Sequence, residues 1–220
     1  MHTDIKKRGF TIVTLFIMAI CLSAYADGHD NYALSTSEVA LLLPTGPDME
    51  DQNDLARYQH LISLGGSAYP ALSEILNSTT DSIVIGRILA IFAQSKADKA
   101  IPINSAKQLL ARNFNSVREE SDVRIPVARM LEEIGSAEDA VLIYPMLNDN
   151  NEFVRASAIR ALSKIGDDKA IQIIEHFMNE KASSASNDEI NNDTSLKEAN
   201  RAIVIIRERL IKANNSAVPD

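Results

Sequence analysis

Apolar positions between residues 121 and 180 fall at steps of three and four. Val123, Val127, Met130, Leu131 and Ile134 stand at i, i+4, i+7, i+8 and i+11. Val154, Ala158, Ala161, Leu162 and Ile165 repeat that spacing 31 residues later. Such spacing puts each set on one face of a helix. Gly135 and Gly166 follow the last apolar residue of each set. A glycine there predicts a helix that ends in the left-handed conformation. A second helix is predicted after each glycine, one carrying Ala140, Ile143, Tyr144 and Leu147, the other Ala170, Ile173, Ile174 and Phe177. Each repeat therefore reads as a helical hairpin with a short turn. Pro145 falls deep in its predicted helix and calls for a kink or a late helix start.

The signal weakens upstream. Ile83, Ile91, Ala100 and Ile101 stand 40 residues before Val123, Leu131, Ala140 and Val141, with Ser95 in the glycine's place. Leu61, Leu64 and Gly65, followed by Ala68-Tyr69-Pro70-Ala71-Leu72, read as the middle of a first hairpin. Proline near a helix start costs little, because those N–H groups lack internal acceptors. A short helix is predicted from Ser37 to Leu43, and another from Gln52 to Leu64. Residues 181–195 are small and polar and cannot bury a core, which predicts a mobile loop. Leu196, Ala199, Ile203, Ile206 and Leu210 then line a last helical face. The predicted organisation is an N-terminal extension over 27–53, an array over 54–180, the polar loop over 181–195, and a helix over 196–213. Self-similarity at such a period marks stacked supersecondary units. Their stability is a sum over units and neighbours, so the degenerate upstream units are expected to open first.

The pattern Val-Arg, Ala, Leu, Ile-Gly, Ala-Ile resembles HEAT repeats, closest to the short HEAT-like type first described in phycobilisome lyases. The resemblance is strong over 121–180 and loose over 54–120. It implies an all-α right-handed superhelix, an α-solenoid of about four stacked hairpins, with the last helix as a cap over its open end. It also implies that Arg124 and Arg155, which recur at the repeat step, join each unit to its neighbour through an acid or a carbonyl. Asp122 and Asp149 stand near enough in sequence to serve. A ligand-reading arginine ladder is the alternative. In that family the second helix of each hairpin lines the concave surface, so Leu142, Pro145, Gln172, Glu175 and His176 become the candidate protein-binding residues. Arg129 and Arg160 also recur, but about 140° round the helix from the first pair, as solvated outer charges.

The first residues change the picture of where this array works. Lys6, Lys7 and Arg8 precede an apolar run from Phe10 to Leu22, and Ala24-Tyr25-Ala26 follows. This is the pattern of a cleaved export signal ending at Ala26. The run is short for a bilayer span, which needs about 20 apolar residues, although an uncleaved anchor is the alternative. Cleavage predicts a periplasmic or secreted chain of 194 of the 220 residues with no membrane span. It removes the one cysteine, Cys21, and with it disulfides and thiol chemistry. Lipid attachment at Cys21 is disfavoured by the preceding Ile20. The balance goes from 22 basic and 30 acidic residues to 19 and 29. That acidic sign opposes nucleic-acid binding.

Candidate chemistry is sparse. His60 and His176 stand singly on predicted helices, without the i+4 partner of a zinc helix. Gly65-Gly66-Ser67 fails the nucleophile-elbow pattern. No phosphate loop or dinucleotide fingerprint occurs. Cleavage after Ala26 would leave Asp27-Gly28-His29 as an N-terminus whose four nitrogens suit Cu(II) or Ni(II). Asn77-Ser78-Thr79 and Asn192-Asp193-Thr194 match glycosylation acceptors. The sequence therefore predicts no enzyme, no catalytic residue, no metal and no cofactor, and a scaffold or adaptor that binds a protein partner. A ligand-handling or lyase-like HEAT protein, and a structural component of an envelope complex, are the rival readings.

Overall fold

The computed structural model describes residues 34–44, 52–94, 98–112, 117–184 and 193–216. Among them every regular element is helical. The export signal, the Asp27-Gly28-His29 motif and Ser95 lie outside the described residues. The chain divides into two compact units, one ending at Thr79 and one beginning at Thr80.

The first unit holds α1 (Thr36–Leu42), α2 (Gln52–Leu64) and α3 (Tyr69–Ser78). Ser35 starts α1 through a capping box with Glu38, whose carboxylate accepts from the Ser35 N–H at 2.9 Å. The helix packs against α2 and α3, burying Val39 and Leu42 in a core with Leu61, Leu72 and Leu76. A 3-10 turn at Gly65–Ser67 joins α2 to α3. Gly65 takes φ +53°, a region open to glycine at little cost.

The second unit begins with α4 (Ser82–Phe92), α5 (Ala100–Leu110) and α6 (Val117–Ile134). Two 3-10 segments follow, Ala137–Leu142 and Tyr144–Asn148, then α7 (Glu152–Ile165), α8 (Asp168–Ser184) and α9 (Thr194–Ser216). Helix α4 packs on α6, α6 on α7, and α7 on α9. These four are the leading helices of an α-solenoid. The trailing elements are α5, the 3-10 pair and α8, with Tyr144–Asn148 packed between α7 and α8. Both apolar templates read from the sequence form this core. Val127, Leu131, Val154, Ala158 and Leu162 have no exposed surface, and Val123, Met130 and Ile134 have almost none.

Several expectations are corrected. The helix predicted after Gly135 is two 3-10 turns and not an α-helix. Pro145 has no N–H to bond and its ring crowds the carbonyl four residues back, which disfavours an α-helix through it. Neither Gly135 nor Gly166 is left-handed, since Gly65 alone among the described glycines has positive φ. Gly166 is extended, at φ −67° and ψ 159°. What demands glycine is space. A Cβ at Gly135 would lie 2.5 Å from the Leu131 carbonyl oxygen and 3.0 Å from Ile165 Cδ1. At Gly166 it would lie 2.5 Å from the Leu162 oxygen, 2.6 Å from Ala170 Cβ and 3.4 Å from Ile206 Cδ1. The residues overhead, Ile165 on α7 and Ile206 on α9, belong to successive leading helices.

Two more departures are local. Ile83, aligned with Val123 by the step of 40, is 37% exposed, and Val84 is the buried residue instead. Asp81 caps α4, accepting from Ile83 N–H at 2.8 Å, and thereby sets that register. Within the span read as a loop, 181–195, α8 continues to Ser184 and α9 already starts at Thr194. Helix α6 carries Pro126 in its interior, where the missing N–H weakens the ladder without ending the helix.

Candidate partner-binding surface

The two recurring arginines are joints inside the second unit. Arg124 Nη1 pairs with Asp149 Oδ2, and Asp149 Oδ1 accepts the Asn151 N–H at 2.8 Å. One unit on, Arg155 Nη2 donates to Asp193 Oδ2 at 2.7 Å, and Asp193 Oδ1 accepts the Ser195 N–H at 2.7 Å. Each carboxylate thus holds the start of the next leading helix with one oxygen and the arginine of the previous leading helix with the other. Arg155 also donates to the carbonyls of Asp149 and Asn150 at 2.9 and 3.1 Å, and through Nε to Ser195 Oγ at 3.2 Å. Its guanidinium is buried, and these four bonds engage four of its five N–H donors. Arg129 and Arg160 are exposed.

Asp193 is the residue that sequence reasoning missed, because it fell in the stretch read as a loop. Its signal is an acid two residues before the residue whose N–H it caps, as Asp149 stands before Asn151. Burial raises the Asp193 pKa, but bonds from Ser195 Oγ, Arg155 and the Ser195 N–H outweigh it and hold the carboxyl below its ordinary value. A further tie closes the same end of the unit. Arg209 Nη2, on α9, donates to the Gly166 carbonyl at the end of α7, where a cation also meets the negative end of the helix dipole. Burial lowers the Arg209 pKa, partly countered by Asp167.

The five residues expected at a partner surface do not form one cluster. Leu142 and Pro145 lie on or beside the 3-10 pair, Pro145 exposed and Leu142 partly so. Gln172, Glu175 and His176 lie on α8. His176 is turned outward, with an exposed ion pair to Glu180 at 3.3 Å. Glu175 borders a cavity. This is a cleft of about 410 Å³ between α8 and α9, lined by Glu175, Met178 and Asn179 on one wall and Asn200, Ile203, Val204 and Arg207 on the other. Arg207 Nη2 reaches across to Glu175 Oε1 at 2.8 Å. Val204 is 54% exposed, and Ile211, two turns further along α9, is 59% exposed. The outer side of the last helix is therefore partly apolar where an end cap is ordinarily polar.

Among the described residues no group of His, Cys, Asp or Glu is placed to hold a metal ion, and no helix is long and apolar enough to cross a membrane. The His60 Nε2 is buried without a hydrogen-bond partner, and burial lowers its pKa.

Residues 106–186 match the family model of HEAT repeats. This stretch is a HEAT-like array. It covers the helices that carry both strong repeats, from α5 through α8. HEAT-like arrays are protein-interaction architectures, and the joints, the close-packed glycines and the leading-helix ladder are its internal framework. Comparison with curated proteins and with solved structures found no match.

Proposed function

We propose that this protein is an exported, non-catalytic scaffold or adaptor that binds a protein partner through the end of its HEAT-like array. The observation that carries the reading is the open α8–α9 cleft, where exposed Val204 and partly exposed Met178 stand beside Asn179, Asn200 and the Glu175–Arg207 pair. Exposed apolar side chains set among polar groups are the mixture found at protein interfaces. The chain after cleavage would carry 19 basic and 29 acidic residues, a net −10, which favours a partner that is neutral or basic at its contact.

Export rests on the basic start, the apolar run and Ala24-Tyr25-Ala26. Its test is the N-terminus of the protein isolated from its own cells, expected at Asp27; a chain retaining Met1 overturns it. Chemical crosslinking followed by identification of the captured chain tests the scaffold reading. A reproducible protein partner supports it. A co-purifying pigment or small molecule, with no protein captured, replaces it with the ligand-handling reading.

A further inference from the structure

We infer that the two arginine joints of the second unit form one relay, through which the hold of α9 on the array is set from α6. Asp149 belongs to both joints. Its carboxylate takes Arg124 of α6 on Oδ2 and the Asn151 N–H at 2.8 Å on Oδ1. Its main-chain carbonyl accepts Arg155 Nη1 at 2.9 Å, and the next carbonyl, that of Asn150, accepts the same nitrogen at 3.1 Å. The other two nitrogens of that guanidinium serve α9. Nη2 donates to Asp193 Oδ2 at 2.7 Å, and Nε donates to Ser195 Oγ at 3.2 Å. Ser195 closes the end, since its N–H and its hydroxyl both donate to Asp193 Oδ1. An unbroken run of polar contacts therefore passes from α6, through the start of α7, to the start of α9.

The parts of this run are buried and stiff. Asp149, Arg155 and Ser195 are all buried, where a hydrogen bond is stronger and a lost partner costs more than in water. A guanidinium is planar, with its donors in a fixed fork. Nη1 therefore cannot follow a displaced carbonyl without turning Nη2 and Nε away from Asp193 and Ser195. The carbonyls are held in turn. Asp149 and Asn150 are the short link before Asn151, the N-cap of α7, and Arg124 pins the first of them by its side chain. Removing Arg124 unpins Asp149. Its carbonyl then moves more freely, the plane of Arg155 moves with it, and the bonds to α9 are made for less of the time. Such a coupling is reciprocal, so whatever steadies α9 also steadies the α6–α7 joint. The middle and the end of the array thus sense each other with α7 between them. Two separate joints would give each helix pair its own strength and no such dependence.

Amide hydrogen exchange from Leu196 to Ile206, in the full chain, reads the relay. Arg124→Ala is expected to quicken it by about threefold or more, the low end of coupling within one hydrogen-bond network. In an Asp193→Asn background the same substitution is expected to change it little. There the last link is already weakened, while the asparagine oxygen still caps the helix. Arg124→Gln, which keeps most of the side chain, gives the same reading should alanine unfold the unit. Lys164→Met is the control. Lys164 is half exposed, and its Nζ bridges α7 to Glu132 and Glu133 of α6, each at 3.3 Å. Its loss loosens the same helix pair without touching the relay, so exchange in α9 is expected to stay at the wild-type rate. Equal acceleration by Arg124→Ala in both backgrounds would mean independent joints and overturns the inference. So does an acceleration that Lys164→Met matches, or no acceleration at all.

Discussion

Arg155 donates to Asp193 across 38 residues of chain, at 2.7 Å, with both side chains largely withdrawn from solvent at 7% and 15% exposure. The bond turns the last helix into a member of the array. It fastens the N-terminus of α9 to the flank of α7 by the device that fastens α7 to α6. A helix that could have docked anywhere on its apolar face is thereby given one position.

Removing that guanidinium leaves Asp193 and two backbone carbonyls without their donor. Arg155→Ala is expected to destabilise the second unit by about 3–5 kcal/mol, the range for breaking a buried pair from one side. Arg155→Lys recovers only part, because an ammonium cannot reach four acceptors in the guanidinium's plane. Arg124 is a third exposed, so Arg124→Ala is expected to cost less, about 1–2 kcal/mol. Urea unfolding of the three variants gives the ranking, and equal losses for both alanine variants would contradict it.

The same joint is acid-sensitive. The folded pKa of Asp193 lies below its unfolded value, so its stabilisation is complete above the unfolded value. It is lost as pH falls through the folded one. The stability gap between the wild type and Asp193→Asn is expected to be widest near neutrality and to close in acid. A gap that stays constant down to the acid end would refute the role assigned to this carboxylate.

His60 gives the first unit a pH response at a milder value. Its pKa is lowered by burial, so the neutral ring is favoured in the fold. Stability is complete above the ordinary histidine value and declines as pH falls from there toward the folded pKa. Hydrogen exchange in α2 is expected to quicken over that interval in the wild type and to change less in His60→Leu. The same acceleration in both proteins would assign the effect elsewhere.

The two repeat glycines are expected to differ in tolerance. A Cβ at Gly166 meets Ala170 Cβ at 2.6 Å, an atom fixed to its backbone, whereas at Gly135 the second neighbour is the flexible end of Ile165 at 3.0 Å. Both also crowd a carbonyl oxygen, so both alanine variants should be destabilised, by about 1–3 kcal/mol. Gly166→Ala should be the worse. Thermal melts decide this, and a stabilised Gly166→Ala would show that the chain can move aside.

The joint partners show how far the sequence could be read. Arg124, Arg155 and Asp149 were visible because they sit in or beside a repeated phrase. Asp193 was not, because 13 more residues separate it from Arg155 than separate Asp149 from Arg124. That added length hid the match between the two joints. Glu175 was reachable as a trailing-helix residue off the core face. Asn179, Asn200 and Arg207 were not, since a cleft between two helices leaves no mark in the periodicity of either.

The sequence by itself determined the leading helices of the two strong repeats, the trailing helix of the second, their buried faces and the arginines that recur between them. It could do so because a helix buries its residues at a fixed local period, and a repeated unit states that period twice. The tertiary structure alone decided why Gly135 and Gly166 are glycine, since the atoms that exclude a Cβ include Ile165 and Ile206 from the next leading helix. It alone decided that Pro145 leaves two 3-10 turns in place of a trailing α-helix. It also decided that α9 continues the leading layer, with a cleft open beside α8. Those facts depend on which helix lies next to which, and the spacing of residues within one helix carries no record of its neighbour.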